Sequence, residues 1–97
     1  MSVFFIATSS IKDSEKFQLY AKKAGETFAE HAAEPVLRGK FEGTLKGDAE
    51  HHVVGIIKFP TVEALHEWHD SDAYQALVPL RDEAADMTIC VYCVPVE

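Results

Sequence analysis

Positive charge is scarce in this sequence. Nine lysines and arginines stand against 16 aspartates and glutamates, a formal net charge of -7. Binding a phosphate backbone needs a cationic surface, so nucleic acid is not an expected partner. An anionic membrane surface is disfavoured on the same ground. Long hydrophobic runs are missing too: nothing approaches the ~20 apolar residues that cross a bilayer, and no membrane association is expected. The opening MSVFFIATSSIKDSEKF has an apolar run after Ser2 but no cationic segment ahead of it, so it does not read as a secretion signal. Cysteine is limited to Cys90 and Cys93, too few for a disulfide scaffold, and the expected compartment is the reducing cytoplasm. What remains is ordinary. Hydrophobic residues at 47% and charged residues at 26% suit a folded globule, and 97 residues suit a single domain over 1–97.

Residues 2–9 are β-branched and aromatic without helical period and read as a strand apolar on both faces. Asp13 fits an N-cap with Glu15 in the first turn. At ~100° per residue, Phe17, Ala21, Ala24 and Phe28 then share one stripe, with Tyr20 and His31 on its flank, predicting a helix over 14–32 that Pro35 stops. Residues 36–46 alternate, placing Val36, Arg38, Lys40 and Glu42 on one face and Leu37, Gly39, Phe41, Gly43 and Leu45 on the other. Lys46-Gly47-Asp48 signals a turn, and 52–59 read as the next strand. Thr61 caps a second helix on which Val62, Leu65 and His69 share a side and Trp68 flanks them. Asp70-Ser71 caps a further helical stretch that Pro79 interrupts, and 87–94 close the chain as a strand.

The order is β-α-β-β-α-β. It predicts an α+β fold of ferredoxin-like type, a four-stranded antiparallel sheet with the helices on one face. Both helices cover one side only, yet Val3, Phe5 and Ala7 alternate with Phe4 and Ile6, and Ile56 adjoins Ile57. The uncovered face is a large apolar patch. Its economical cover is a second copy packed sheet on sheet, so a homodimer is expected.

Several strings carry a resemblance over nearly the whole chain: FPTVEALHEWHDSDAYQALVPLR at 59–81, LRG at 37–39 and FEG at 41–43. With Tyr20 on the first helix, the sequence resembles the domain-of-unknown-function family 1330 of the dimeric α/β-barrel superfamily. The resemblance falls on Tyr20, Arg38, Gly39, Glu42, Gly43, Phe59, Pro60, Trp68, Tyr74 and Arg81. It implies a ferredoxin-like protomer whose dimer closes a barrel, and it implies no particular reaction. Where the family has a glycine-rich stretch before the second strand, this chain reads His31-Ala32-Ala33-Glu34-Pro35. Relatives by fold use a pocket between sheet and helices, which makes a small acidic or aromatic metabolite the expected ligand by analogy.

The only two arginines, Arg38 and Arg81, are the first candidates. A guanidinium fork suits a carboxylate or an enolate-like oxygen. Two readings are open: the pair anchors an anion, or it holds a junction through Glu42, Asp82 or Glu83. Glu42 sits in line with Lys40 and Arg38, either as a general base in a pocket with Arg38 as electrostatic stabiliser or as part of a solvated edge. His69 is an alternative proton-transfer group or a core histidine. Tyr20, Trp68 and Tyr74 are candidate ligand contacts beside Arg81, and Tyr20 and Tyr74 equally suit buried hydroxyls bonded to the backbone. No cofactor motif is present. His66 and His69 at i, i+3 are a weak metal signal without H-E-x-x-H spacing, and no metal site is expected. Cys90 and Cys93 point to opposite faces of a strand, where a disulfide is geometrically poor.

The reaction type stays open between cofactor-independent isomerase, lyase or monooxygenase-like chemistry and a non-catalytic dimeric module that binds a metabolite or a protein. No nucleophile–base pair and no glycine-rich phosphate loop decides between them.

Overall fold

The computed structural model describes residues 2–95. Strand β1 spans Ser2–Ile11, helix α1 Ser14–Phe28 with a 3-10 turn at Ala29–His31, β2 Glu34–Lys40, β3 Val53–Phe59, α2 Val62–Asp70, α3 Asp72–Gln75, α4 Val78–Ala84 and β4 Ala85–Val94. The strands form one antiparallel sheet in the order β2-β3-β1-β4. This is the expected ferredoxin-like α+β arrangement, with β1 central and β2 and β4 at the edges.

Local chemistry sets the helix ends. The Asp13 carboxylate accepts from Lys16 N at 3.0 Å, and Thr61 Oγ1 accepts from Ala64 N at 3.0 Å; each cap stabilises its helix by about 1 kcal/mol. Ser71 does two jobs. Its hydroxyl donates to the Trp68 carbonyl at 2.7 Å, closing α2, and accepts from Tyr74 N at 3.2 Å, opening α3. The helical stretch after Ser71 is interrupted as expected, between α3 and α4, and Pro79 lies in the first turn of α4, where its missing N–H costs nothing. The first helix also ends before Pro35. Ala32 takes the left-handed conformation at φ 55° and turns the chain, while Pro35 lies inside β2.

Partners directly opposite each other in an antiparallel ladder share a face. Phe5 stands opposite Ile57 and Val91, Ala7 opposite Gly55 and Ile89, and Ser9 opposite Val53 and Met87. These positions face the helices. Phe4, Ile6, Val54 and Ile56 face the other way, with Tyr92 and Cys90 beside them. The core lies under the helices, and Val3, Phe59, Trp68 and Tyr74 are its fully buried large side chains.

The second strand departs from the sequence reading. It ends at Lys40, and 41–52 form no strand. Its register also shifts: Pro35 pairs with Ile57, but Leu37 pairs with Ile56. One extra residue, Val36, is a bulge on an edge strand, where proline is tolerated. Because the side-chain period is two, the bulge reverses which face every later residue meets. Arg38 and Lys40 therefore stand opposite Gly55 and Val53, on the helix side of the sheet.

Candidate functional site

A cavity of about 450 Å³ opens between α1 and the sheet. Its roof is the inward stripe of α1, namely Phe17, Tyr20, Ala21, Ala24 and Phe28. Its floor is Phe5, Ala7 and Ser9 of β1, Val53, Gly55 and Ile57 of β3, and Met87 and Ile89 of β4. Arg38 and Lys40 border it from β2, and Trp68 of α2 contributes one wall. The hollow follows from small side chains. Ala21 and Ala24 face down from the helix, and Ala7 and Gly55 lie side by side in the floor. A Cβ built on Gly55 meets no atom within 4 Å.

The lining is mostly apolar, and its few polar groups are specific. Among the described residues, no aspartate or glutamate lines the cavity. Among the described residues, neither Arg38 nor Lys40 makes a hydrogen bond or salt bridge from its side chain. Ser9 is largely buried, and it lines the cavity floor.

The aromatic wall is built as a unit. Trp68 stacks on Phe5 with ring centroids 5.2 Å apart and 21° between planes, and it contacts Phe28, Phe59 and Tyr74. Its Nε1–H donates to Thr27 Oγ1 at 2.7 Å, and the Thr27 hydroxyl donates to the Ala24 carbonyl at 2.6 Å. Behind this wall the Tyr20 and Tyr74 hydroxyls lie 2.8 Å apart, and Arg81 Nη1 donates to Tyr74 Oη at 3.3 Å. Burial, with Tyr74 next to it, pushes the Tyr20 phenol well above its ordinary pKa. Desolvation disfavours the Arg81 charge, but hydrogen bonds to Tyr74 and Asp82 outweigh it and leave the guanidinium above its ordinary value.

Residues 2–93 match the family described as "Domain of unknown function (DUF1330)". The chain belongs to the DUF1330 family. No curated protein gives a significant match. Among solved structures, a protein of unknown function from Rhodopseudomonas palustris is similar at 23% identity and a TM-score of 0.79, covering 94% of this chain and 80% of that one. SnoaB, a cofactor-independent oxygenase from Streptomyces nogalater, is similar at 10% identity and a TM-score of 0.72, over 99% of this chain and 95% of that one. A dimeric ferredoxin-like protein of unknown function from Thermobifida fusca is similar at 9% identity and a TM-score of 0.64, over 97% and 92% of the two chains. At these identities the likeness is one of fold.

The candidate residues of this DUF1330 protein divide into three groups. Arg38, Tyr20 and Trp68 come together at the cavity. Tyr74 and Arg81 lie behind it. Tyr74 is fully buried against Trp68, and Arg81 is held by Asp82 at 3.0 Å and by Tyr74. This favours the junction reading of Arg81. Glu42 and His69 stand outside. Glu42 is exposed beyond the end of β2, and His69 pairs with Asp70 at 3.2 Å while Trp68, its neighbour, takes the buried side of α2. The row of three charges thus splits after Lys40, and its first two members face the cavity from a strand that is also a sheet edge. Ser9 and Gly55 are cavity residues that sequence reasoning did not single out, and Lys40 entered it only as a member of the charged row. The alternation of β1 was a usable signal for Ser9; the bulge at Val36, which turns Lys40 inward, had none beyond Pro35. Among the described residues no three histidine, cysteine, aspartate or glutamate side chains cluster as a metal site, Cys90 and Cys93 are free, and no helix is long and apolar enough to cross a membrane.

Proposed function

We propose that this protein binds a small acidic or aromatic metabolite in the cavity between α1 and the sheet. The observation that carries the reading is an apolar hollow with an arginine at its border and, among the described residues, no carboxylate in its lining. A cavity of about 450 Å³ is of ordinary size for a small-molecule site. The test is a melting-temperature screen of the full chain against small aromatic and aliphatic acids and their neutral analogues. A hit lost in Arg38→Gln supports the reading, and no shift from any compound defeats it.

Turnover is a second reading. It covers cofactor-independent isomerase, lyase or monooxygenase-like chemistry, with Arg38 stabilising an oxyanion. The fold shared with the cofactor-independent oxygenase SnoaB favours it by analogy only. Against it stand the positions of Glu42 and His69, the two groups best suited to proton transfer, both outside the cavity. Binding is therefore the better-supported function, and steady product formation that collapses in Arg38→Ala would reverse that order.

The same reading includes a homodimer of one domain per chain. Leu37 and Tyr92 on the open sheet face are 46% and 55% exposed, and Phe4, Ile6, Val54 and Ile56 continue the same apolar surface. A second copy packed on this face by two-fold symmetry removes it from water. Light scattering after size exclusion tests this, and a monomer at micromolar concentration removes it. Two free, exposed cysteines suit a reducing compartment and support a cytoplasmic location.

A further inference from the structure

The sheet register orders the cavity floor into rows. Lys40, Val53, Ser9 and Met87 stand opposite one another across the four strands. The next row on the same face is Arg38, Gly55, Ala7 and Ile89. The row after that brings Ile57 and Phe5, and Phe5 carries the stacked Trp68. The floor therefore runs from a polar end to an aromatic end. Both cations and the Ser9 hydroxyl lie in the first two rows. The aromatic and aliphatic side chains lie beyond them.

Three features of the polar end call for an anion. Two cations project from one strand at i and i+2, so they lie side by side on one face. Nothing described in the chain neutralises either. The Ser9 hydroxyl beside them lines the cavity and makes no side-chain bond to the described residues, so it is free to donate to a ligand oxygen. Between the two ends, Ala7 and Gly55 leave the floor low, and Ala21 and Ala24 leave the roof high. That gap is a slot for a flat body.

Resting on the pocket reading above, we infer that the cavity selects an aromatic monocarboxylate bound in one orientation. Its carboxylate lies at Arg38, Lys40 and the Ser9 hydroxyl, and its ring lies over Gly55 and Ala7 with its far edge at Phe5 and Trp68. The guanidinium and ammonium donate to the carboxylate oxygens, and the serine hydroxyl supplies a third donor. The ring gains apolar contact on both faces from alanine and aromatic side chains.

The probes are 2-naphthoate and 2-naphthalenemethanol, matched in shape and different in charge. Binding to the full chain is followed by calorimetry and by the fluorescence of Trp68, the single tryptophan. The acid is expected to bind at least about tenfold more tightly than the alcohol, the discrimination typical of a charge-assisted hydrogen bond. Arg38→Gln with Lys40→Gln lowers binding of the acid to the level of the alcohol and so removes that preference. Ser9→Ala weakens the acid alone. Gly55→Val abolishes both, and Gly55→Ala weakens both; the space above Gly55 lets these variants keep the fold, checked by circular dichroism. If the alcohol binds as well as the acid, or the double glutamine variant keeps the preference, anion selection is overturned and the pocket reading stands. If neither probe binds, or folded Gly55→Val binds both normally, the pocket reading falls and the inference with it.

Discussion

The hydroxyls of Tyr20 and Tyr74 lie 2.8 Å apart in a region where Tyr74 has no solvent exposure. Arginine only donates, so Tyr74 accepts from Arg81 and shares its remaining hydrogen-bonding capacity with Tyr20. Tyr74→Phe deprives both neighbours at once and is expected to cost about 1–3 kcal/mol, the penalty for a buried polar group left unpaired. Tyr20→Phe leaves the Arg81 bond intact and is expected to cost about 0.5–1.5 kcal/mol. The double variant should cost no more than Tyr74→Phe alone. Urea denaturation of the four proteins measures this, and strict additivity would mean that the hydroxyls are not coupled.

The same burial gives the protein an alkaline limit. Desolvation and Tyr74 hold the Tyr20 phenol above its ordinary pKa in the folded state, while in the unfolded chain it ionises near the ordinary value of about 10. Above that pH the unfolded state has lost a proton that the folded state keeps, so stability falls as pH rises. Below it, Tyr20 contributes no pH dependence. The expected slope is about 1.4 kcal/mol per pH unit from this one group. Denaturation midpoints between neutral and strongly alkaline pH should fall less steeply in Tyr20→Phe than in the wild type; parallel curves would show that Tyr20 does not set the limit.

Thr27 holds the indole of Trp68 through a 2.7 Å bond to a side chain that is 1% exposed. Thr27→Val keeps the shape and removes the acceptor. The orphaned N–H is expected to cost about 1–3 kcal/mol, with a shift in Trp68 emission because the indole loses its partner. A smaller loss together with unchanged emission would mean that the indole finds another acceptor.

Much of this architecture was legible from residue patterns. The caps at Asp13 and Thr61 and the inward stripe of α1 follow from local chemistry, and all four stripe residues line the cavity. Strand β2 was less legible because its face assignment depends on one inserted residue. A strict period of two treats Val36, Arg38, Lys40 and Glu42 as one row. The bulge takes Val36 out of that row, and the loss of ladder pairing after Lys40 takes out Glu42. On α2 the sequence pattern favoured His69 as the inward residue, because Trp68 sits on the flank of the apolar stripe. The indole wins the buried side because it removes far more apolar surface from water than an imidazole does. A histidine displaced outward then finds Asp70 instead.

Ala32 is the one described residue other than glycine with positive φ, at 55°. An L side chain in that conformation costs roughly 1–2 kcal/mol. Glycine removes the strain but gives the unfolded chain more freedom, worth about 0.4–1 kcal/mol. Ala32→Gly is therefore expected to stabilise the protein by about 0.5–1 kcal/mol and to raise the melting temperature by a few degrees. A lower melting temperature would mean that the Ala32 methyl makes packing contacts worth more than the strain.

Ile6 tests the proposed dimer from the centre of its surface. It lies on the central strand, faces away from the helices and stands opposite Ile56 on one side and Cys90 on the other. In an isolated protomer, lysine at this position extends into water and disturbs little, because a long side chain keeps its charged end solvated. Against a second sheet the same ammonium loses its water with no counter-charge among those neighbours, which is strongly unfavourable. Ile6→Lys is thus expected to give a folded monomer by light scattering. Wild-type melting should rise with protein concentration, as mass action requires of a dimer that forms only from folded chains. The variant's melting should not depend on concentration. A wild type that melts independently of concentration, or an Ile6→Lys variant that remains dimeric, would place the contact between copies on some other surface.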